Sequence, residues 1–125
     1  MSAEPSVAVI DDDDPFRTAL VESLCLFGYR VHGFASAEEF FAADLETLCD
    51  CIITDIQMPG MSGLDLKRHL TANGSKVPII MITARPEEVL DARAAASGAA
   101  CLLRKPFGSD DLIGWLEKLV TPAAM

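Results

Sequence analysis

The sequence predicts an α/β fold: a doubly wound, five-stranded parallel sheet with helices on both faces. Three observations predict it. Short apolar runs of strand type alternate along the chain with longer stretches of helical period, the pattern of repeated βα units. Those runs are apolar at nearly every position rather than at every second one, as strands covered on both faces are. The chain has 125 residues, half of them hydrophobic, which suits one domain with a core between layers. Residues 1–125 are therefore expected to form a single domain, with its core over about 6–120.

The elements follow in order. Ser6 to Ile10 is a buried strand that stops at acids. Phe16, Leu20, Leu24 and Phe27 recur at helical spacing and make an apolar stripe. Pro15 fits the first turn of that helix and Gly28 its end. Tyr29 to Phe34 is the second strand. Ser36 can cap the next helix, with Glu39 as its capping-box partner. Cys51 to Thr54 is the third strand and ends at Asp55. Met58 to Gly63, punctuated by Pro59, Gly60 and Gly63, is a loop. Leu64 to Leu70 is helical and is stopped by Asn73-Gly74. Val77 to Thr83 is the fourth strand. Pro86 to Ser97 is a helix opened by Pro and Glu and closed by Gly98. Ala100 to Arg104 is the fifth strand. Leu112, Trp115, Leu116 and Leu119 form the stripe of a final helix, where Trp115 reads as packing. Thr121 to Met125 reads as a natural terminus or the start of a linker.

Composition narrows the function. Nineteen acids against ten Lys and Arg give a net charge of -9, so the domain alone repels nucleic acid and anionic membranes. It suits cations, or a partner with a basic patch. No apolar run approaches the ~20 residues of a membrane span. Met1 to Ser6 has no basic flank or apolar core, so it is not a signal peptide. Cys25, Cys49, Cys51 and Cys101 lack the spacing of zinc or redox motifs, and His32 and His69 lie far from them in sequence. The cysteines read as small core or near-core residues in a reducing compartment.

The informative feature is where the polar residues fall. Asp11 and Asp12 follow strand one, Asp55 follows strand three, Thr83 ends strand four and Lys105 follows strand five. All stand at carboxyl ends of strands, and open parallel sheets bind ligands in the crevice outside those ends. Taken alone, Asp11 to Asp14 is equally a solvated acidic helix start, and Asp55 equally a loop cap. If the strand order is 2-1-3-4-5, strands one, three, four and five are neighbours and the five residues converge on one cleft. Clustered carboxylates repel, and a hard cation such as Mg²⁺ relieves that repulsion. A carboxylate is also a nucleophile toward phosphorus. Lys105 adds positive charge, and the Thr83 hydroxyl can donate to a phosphoryl oxygen.

Four segments carry a resemblance: Val9-Ile10-Asp11-Asp12, Thr54 through Gly63, Met81-Ile82-Thr83-Ala84 and Lys105-Pro106-Phe107. They resemble the signature segments of bacterial response-regulator receivers, the phosphoacceptor domains of two-component systems. The resemblance spans about Ser6 to Val120. It implies the flavodoxin-like strand order 2-1-3-4-5, which makes strands one, three, four and five consecutive neighbours. It implies Asp55 as phosphoacceptor, Asp12 as direct metal carboxylate, Asp11 as a ligand through water and the Gln57 carbonyl as backbone ligand. The ion is Mg²⁺, with Mn²⁺ as a substitute. Thr83 is the implied switch hydroxyl, Lys105 the phosphate-pairing lysine, and Ala84 the small residue that leaves the pocket open. Lys105-Pro106 is expected to be cis, as in many receivers.

The implied phosphodonor is a phosphohistidine on a sensor histidine kinase or phosphotransfer protein, docked on the Phe16 helix. The implied output is a switch of the surface of helix four, strand five and helix five. That switch would control a downstream effector or output domain, or a phosphorylation-dependent dimer. The domain would be a cytoplasmic signalling module that assists its own phosphorylation and dephosphorylation, not an enzyme with a separate substrate. One departure stands out: Leu102 occupies a position where receivers often carry Tyr or Phe, so the aromatic switch is missing. Gln57 and Arg85 flank the phosphosite where receivers vary. Two rivals remain: a haloacid-dehalogenase-like phosphatase, whose second acid would stand where Gln57 does, and a non-phosphorylated pseudo-receiver acting as an interaction surface.

Overall fold

The computed structural model describes residues 4–44, 48–84 and 88–120. Ten elements alternate: β1 (Ser6–Ile10), α1 (Asp14–Leu26), β2 (Arg30–Phe34), α2 (Ala37–Ala42), β3 (Cys51–Asp55), α3 (Gly63–Ala72), β4 (Ile79–Thr83), α4 (Glu88–Ala96), β5 (Cys101–Arg104) and α5 (Ser109–Leu119). The sheet order is β2-β1-β3-β4-β5, with every pair parallel. Both match the expectation. Arg85, Pro86 and Thr121 to Met125 lie outside the described residues.

Side chains alternate across a strand, and the core therefore splits in two. Val7, Val9, Ile53, Ile80 and Ile82 face Leu20 and Leu24 of α1 and Leu112 and Leu116 of α5. Ala8, Ile10, Ile52, Ile79 and Met81 face Phe40 of α2, Leu64, Leu66 and Leu70 of α3, and Leu90 and Ala94 of α4. Trp115 packs against the first of these layers, in keeping with a structural role. Central strands β3 and β4 are buried at every residue, whereas edge strand β2 is largely exposed. Uniform burial thus holds only for strands with a neighbour on each side.

Helix ends account for the shifted boundaries. Asp13 caps α1 by accepting from the Phe16 N–H at 3.2 Å, and Asp14 sits in the first turn, where acids complement the helix dipole. At the other end, Gly28 adopts φ +95°. Its N–H donates to Cys25 O and the Tyr29 N–H to Leu24 O, a Schellman closure. Tyr29 therefore belongs to the cap, and β2 begins at Arg30. The same closure corrects the expected apolar stripe: Phe27 lies beyond the last helical residue and is 53% exposed. Cys25 is likewise exposed, against the core placement expected for it, while Cys49 and Cys51 are buried and Cys101 is half-buried.

The N-terminal caps depart from the expectation in a second way. Ser36 accepts from the Glu39 N–H as expected, but Glu39 accepts from Ala35 rather than from Ser36. The complete capping box lies at α3, where Ser62 and Asp65 exchange both bonds. Its signal, Ser followed three residues later by an acid, overlaps the Pro- and Gly-punctuated stretch that reads as loop. The box starts α3 at Gly63, directly beneath the end of β3.

Candidate functional site

The carboxyl ends of β1, β3, β4 and β5 bring the predicted residues to one edge of the sheet. Asp11 is fully buried. Its N–H donates to Phe34 O at 3.0 Å, its Oδ1 accepts from the Asp13 N–H at 2.9 Å, and its backbone oxygen accepts from Arg17 Nη1 at 2.7 Å. Asp12 is exposed beside it. Asp55 is buried at the end of β3, and its Oδ1 accepts from the Gln57 N–H at 3.3 Å. One carboxylate oxygen from each of Asp11, Asp12 and Asp55 lies within 4.8 Å of the others.

Lys105 is the cation of this cluster. Its Nζ stands 2.9 Å from Asp11 Oδ2 and 3.6 Å from Asp55 Oδ2, with the side chain only 14% exposed. The Lys105-Pro106 bond is cis, and the Lys105 N–H donates to Thr83 O at 2.8 Å. Thr83 is fully buried, pairs in register with Arg104, and follows Ile82, the partner of Asp55. Leu102 is half-buried opposite Met81 and packs on the α4 side of the sheet. It lines a hollow of about 280 Å³ with Asp91, Ala94 and Ala95 of α4. Arg104, two residues on, pairs with Asp91.

The electrostatics follow from this crowding. Burial, then the neighbouring Asp11 charge, pushes the Asp55 carboxyl up to about 6; Lys105 and the Gln57 N–H pull it down but do not win. For Lys105, burial acts downward. Contact with Asp11 and the charges of Asp55 and Asp13 outweigh it and raise its pKa. One ammonium thus meets two of three acids, Asp11 and Asp55, whose oxygens lie with one of Asp12 within 4.8 Å of one another. Each pair of unit charges at that distance repels by about 3 kcal/mol at an effective dielectric of ~20.

The donor set fits a hard divalent ion such as Mg²⁺. The three side chains placed where they could hold such an ion are carboxylates, the donors it prefers. Asp11 Oδ2 is also buried without a well-aligned hydrogen bond, since Lys105 meets it as an ion pair. A separate hollow of about 500 Å³ between α3 and α4, lined by Lys67, Arg68 and Arg93 among others, contains none of the cleft residues.

Gly63 is a site residue that reads in the sequence as mere punctuation. A Cβ there would lie 2.4 Å from Asp55 O and 3.1 Å from Ile56 Cα. These are backbone atoms that cannot swing aside. Gly63→Ala should therefore cost about 1–3 kcal/mol by overpacking, after any gain of up to ~1 kcal/mol in helix propensity. It should also displace the end of β3. Urea unfolding tests this; unchanged stability would mean that the loop yields without cost.

Comparison with known proteins gives a consistent result. The family model described as the response regulator receiver domain matches residues 7–117. The C4-dicarboxylate transport transcriptional regulatory protein DctD of Rhizobium meliloti is 40% identical over 113 residues, covering 90% of this chain and 25% of that protein. The transcriptional regulatory protein FixJ of Azorhizobium caulinodans is 39% identical, covering 86% of this chain and 51% of that protein. The chain thus spans between a quarter and a half of the length of these curated relatives. Among solved structures, FixJ-N superposes with a TM-score of 0.84 at 30% identity, covering 94% of each chain. The chemotaxis protein CheY4 of Vibrio cholerae gives 0.85 at 28%, covering 94% of this chain and all of the other.

Proposed function

This chain belongs to the response regulator receiver domains of two-component signalling, and on that premise we propose that Asp55 is its phosphoacceptor. The observation that carries the assignment is Asp55 itself: a buried carboxylate at the end of β3, 3.6 Å from the Lys105 ammonium and within 4.8 Å of two further acids. Its raised pKa fits a carboxylate crowded by like charge, which a cation would relieve.

The residues divide the work of phosphoryl transfer. One Asp55 oxygen attacks phosphorus and forms the O–P bond. The bond from phosphorus to the donor breaks, and the electron pair leaves with the donor's imidazole nitrogen or, in the laboratory, with acetate. Positioning and charge stabilisation dominate such a step. Lys105 pairs with a phosphoryl oxygen, and the Thr83 hydroxyl donates to another. Asp12 would hold Mg²⁺ directly, Asp11 through water, and Asp55 and the Gln57 carbonyl would complete the protein's share. When bound, the ion supplies positive charge to the acids and to the incoming phosphoryl oxygens. The Gln57 N–H orients the Asp55 carboxylate.

The output surface is α4, β5 and α5. Thr83 sits in register with Arg104, which reaches Asp91 of α4, and Leu102 stands between the two strands and α4. Phosphorylation would bias this packing without an aromatic latch, so the population shift is modest. Residues 6–120 act as one receiver domain, in the cytoplasm, with a sensor histidine kinase or phosphotransfer protein as donor. An effector, an output domain or a second phosphorylated copy receives the signal. Among the described residues no helix is long and apolar enough to cross a membrane.

The test is chemical. With Mg²⁺ and acetyl phosphate the chain should take up one phosphoryl group, labile to hydroxylamine as an acyl phosphate is, and removal of the ion with a chelator should stop uptake. Uptake that continues undiminished without a divalent ion would contradict the proposal.

A further inference from the structure

The Lys105 ammonium has a third neighbour that the phosphoryl-transfer account does not use. Its Nζ lies 4.0 Å from the centroid of the Phe16 ring, besides 2.9 Å from Asp11 Oδ2 and 3.6 Å from Asp55 Oδ2. An ammonium carries three donor hydrogens, and here it has three attractors. The ring is itself held: it meets Phe107 edge-on, with centroids 5.9 Å apart and planes at 81°. Phe16 lies in the first turn of α1, on the N–H bonded to the Asp13 cap, and Phe107 follows Lys105 by two residues. The ring therefore joins the acidic loop after β1 to the loop after β5.

We propose that the face of Phe16 seats the Lys105 ammonium, making Phe16 a positioning residue for phosphoryl transfer to Asp55. This rests on the reading of Lys105 as the phosphoryl partner. The physical reason is the kind of attraction. A lysine stem is flexible and its charge is a point. Held by carboxylates alone, the ammonium has its nearest partner in Asp11 and spends its charge there. An aromatic face attracts a cation through its quadrupole and bears no net charge. It fixes the nitrogen at the mouth of the cleft and leaves the positive charge available to phosphoryl oxygens. Phe16 also packs against the α1–α5 core layer, so the test must separate ring electrostatics from packing.

Fluorination does so, because it drains the quadrupole step by step while keeping the ring's shape. The full chain is made with phenylalanine, mono-, di- and trifluorophenylalanine at position 16, alongside Phe16→Tyr, Phe16→Trp and Phe16→Leu. In the metal-free protein the Lys105 Hε resonances should lie upfield through the ring current and lose that shift in Phe16→Leu. The initial rate of Asp55 labelling by acetyl phosphate should fall with each fluorine. The whole effect should be about two- to thirtyfold, the range expected of such contacts. Phe16→Tyr and Phe16→Trp should stay near the parent. A flat rate across the fluorinated series would overturn the proposal, as would Lys105 resonances indifferent to Phe16→Leu. Unchanged labelling in Lys105→Ala would instead overturn the role of the lysine, and the positioning role with it, while the ring-current shift still reports the seat.

Discussion

Asp55→Asn should make the metal-free protein more stable at pH 8, by about 2–3 kcal/mol. Asp55 titrates near 6 in the folded chain against 3.8 unperturbed, a shift of about two units at ~1.4 kcal/mol each. The sign follows from linkage. Above pH 6 the carboxylate is ionised in both states, and the raised pKa is a standing penalty on the fold. As pH falls from about 6 toward 3.8 the folded chain takes up the proton first, and the penalty disappears. The gain in Asp55→Asn should therefore be full above pH 6 and gone below pH 4. Urea unfolding of both proteins at pH 8 and pH 4, without divalent ions, measures it. Equal stability at pH 8 would show that the cleft does not strain its carboxylate.

Lys105→Met should act in the opposite direction. It removes the only cation within reach of Asp11 Oδ2 and Asp55 Oδ2 among the described residues, and Asp11 is fully buried. A buried charge left without its partner is costly; with the cleft open at Asp12, about 2–3 kcal/mol is expected at pH 8. Part of that loss should return in Mg²⁺. Labelling by acetyl phosphate should slow by about a hundredfold or more, as when other charge-stabilising donors are removed. Fluorescence-monitored unfolding and timed labelling give the two values. A variant as stable as the parent would mean that solvent already screens Asp11.

These predictions rest on residues that are legible in the sequence, and the reason is physical. A central parallel strand must be apolar throughout, so Cys51 to Thr54 and Ile79 to Ile82 announce themselves. The polar residue that ends such a run stands at the sheet's carboxyl edge. Strand pattern thus puts Asp11, Asp12, Asp55, Thr83 and Lys105 at or just past carboxyl ends of strands, while the strand order that gathers them in one cleft comes from the family resemblance. Contacts that depend on approach in space are not legible in that way. Gly63 reads as loop punctuation, yet it is small because the backbone of Asp55 passes 2.4 Å from where a Cβ would lie. Phe16 fits the helical apolar period, and nothing in that period says that its face meets an ammonium. Arg17 carries no signal in the sequence pattern, yet its Nη1 donates to the backbone oxygen of Asp11 at 2.7 Å. Phe27 continues the stripe in sequence and falls outside it in space, because the Schellman turn at Gly28 ends the helix first.

The most direct test of the account is the address of the phosphoryl group. After labelling with acetyl phosphate and Mg²⁺, borohydride reduction converts an aspartyl phosphate to homoserine, and peptide mass spectrometry locates the converted residue. The account predicts conversion at position 55 alone, at up to one per chain, and none in Asp55→Asn. Conversion at Asp11, Asp12 or any other acid, or full labelling of Asp55→Asn, would contradict it.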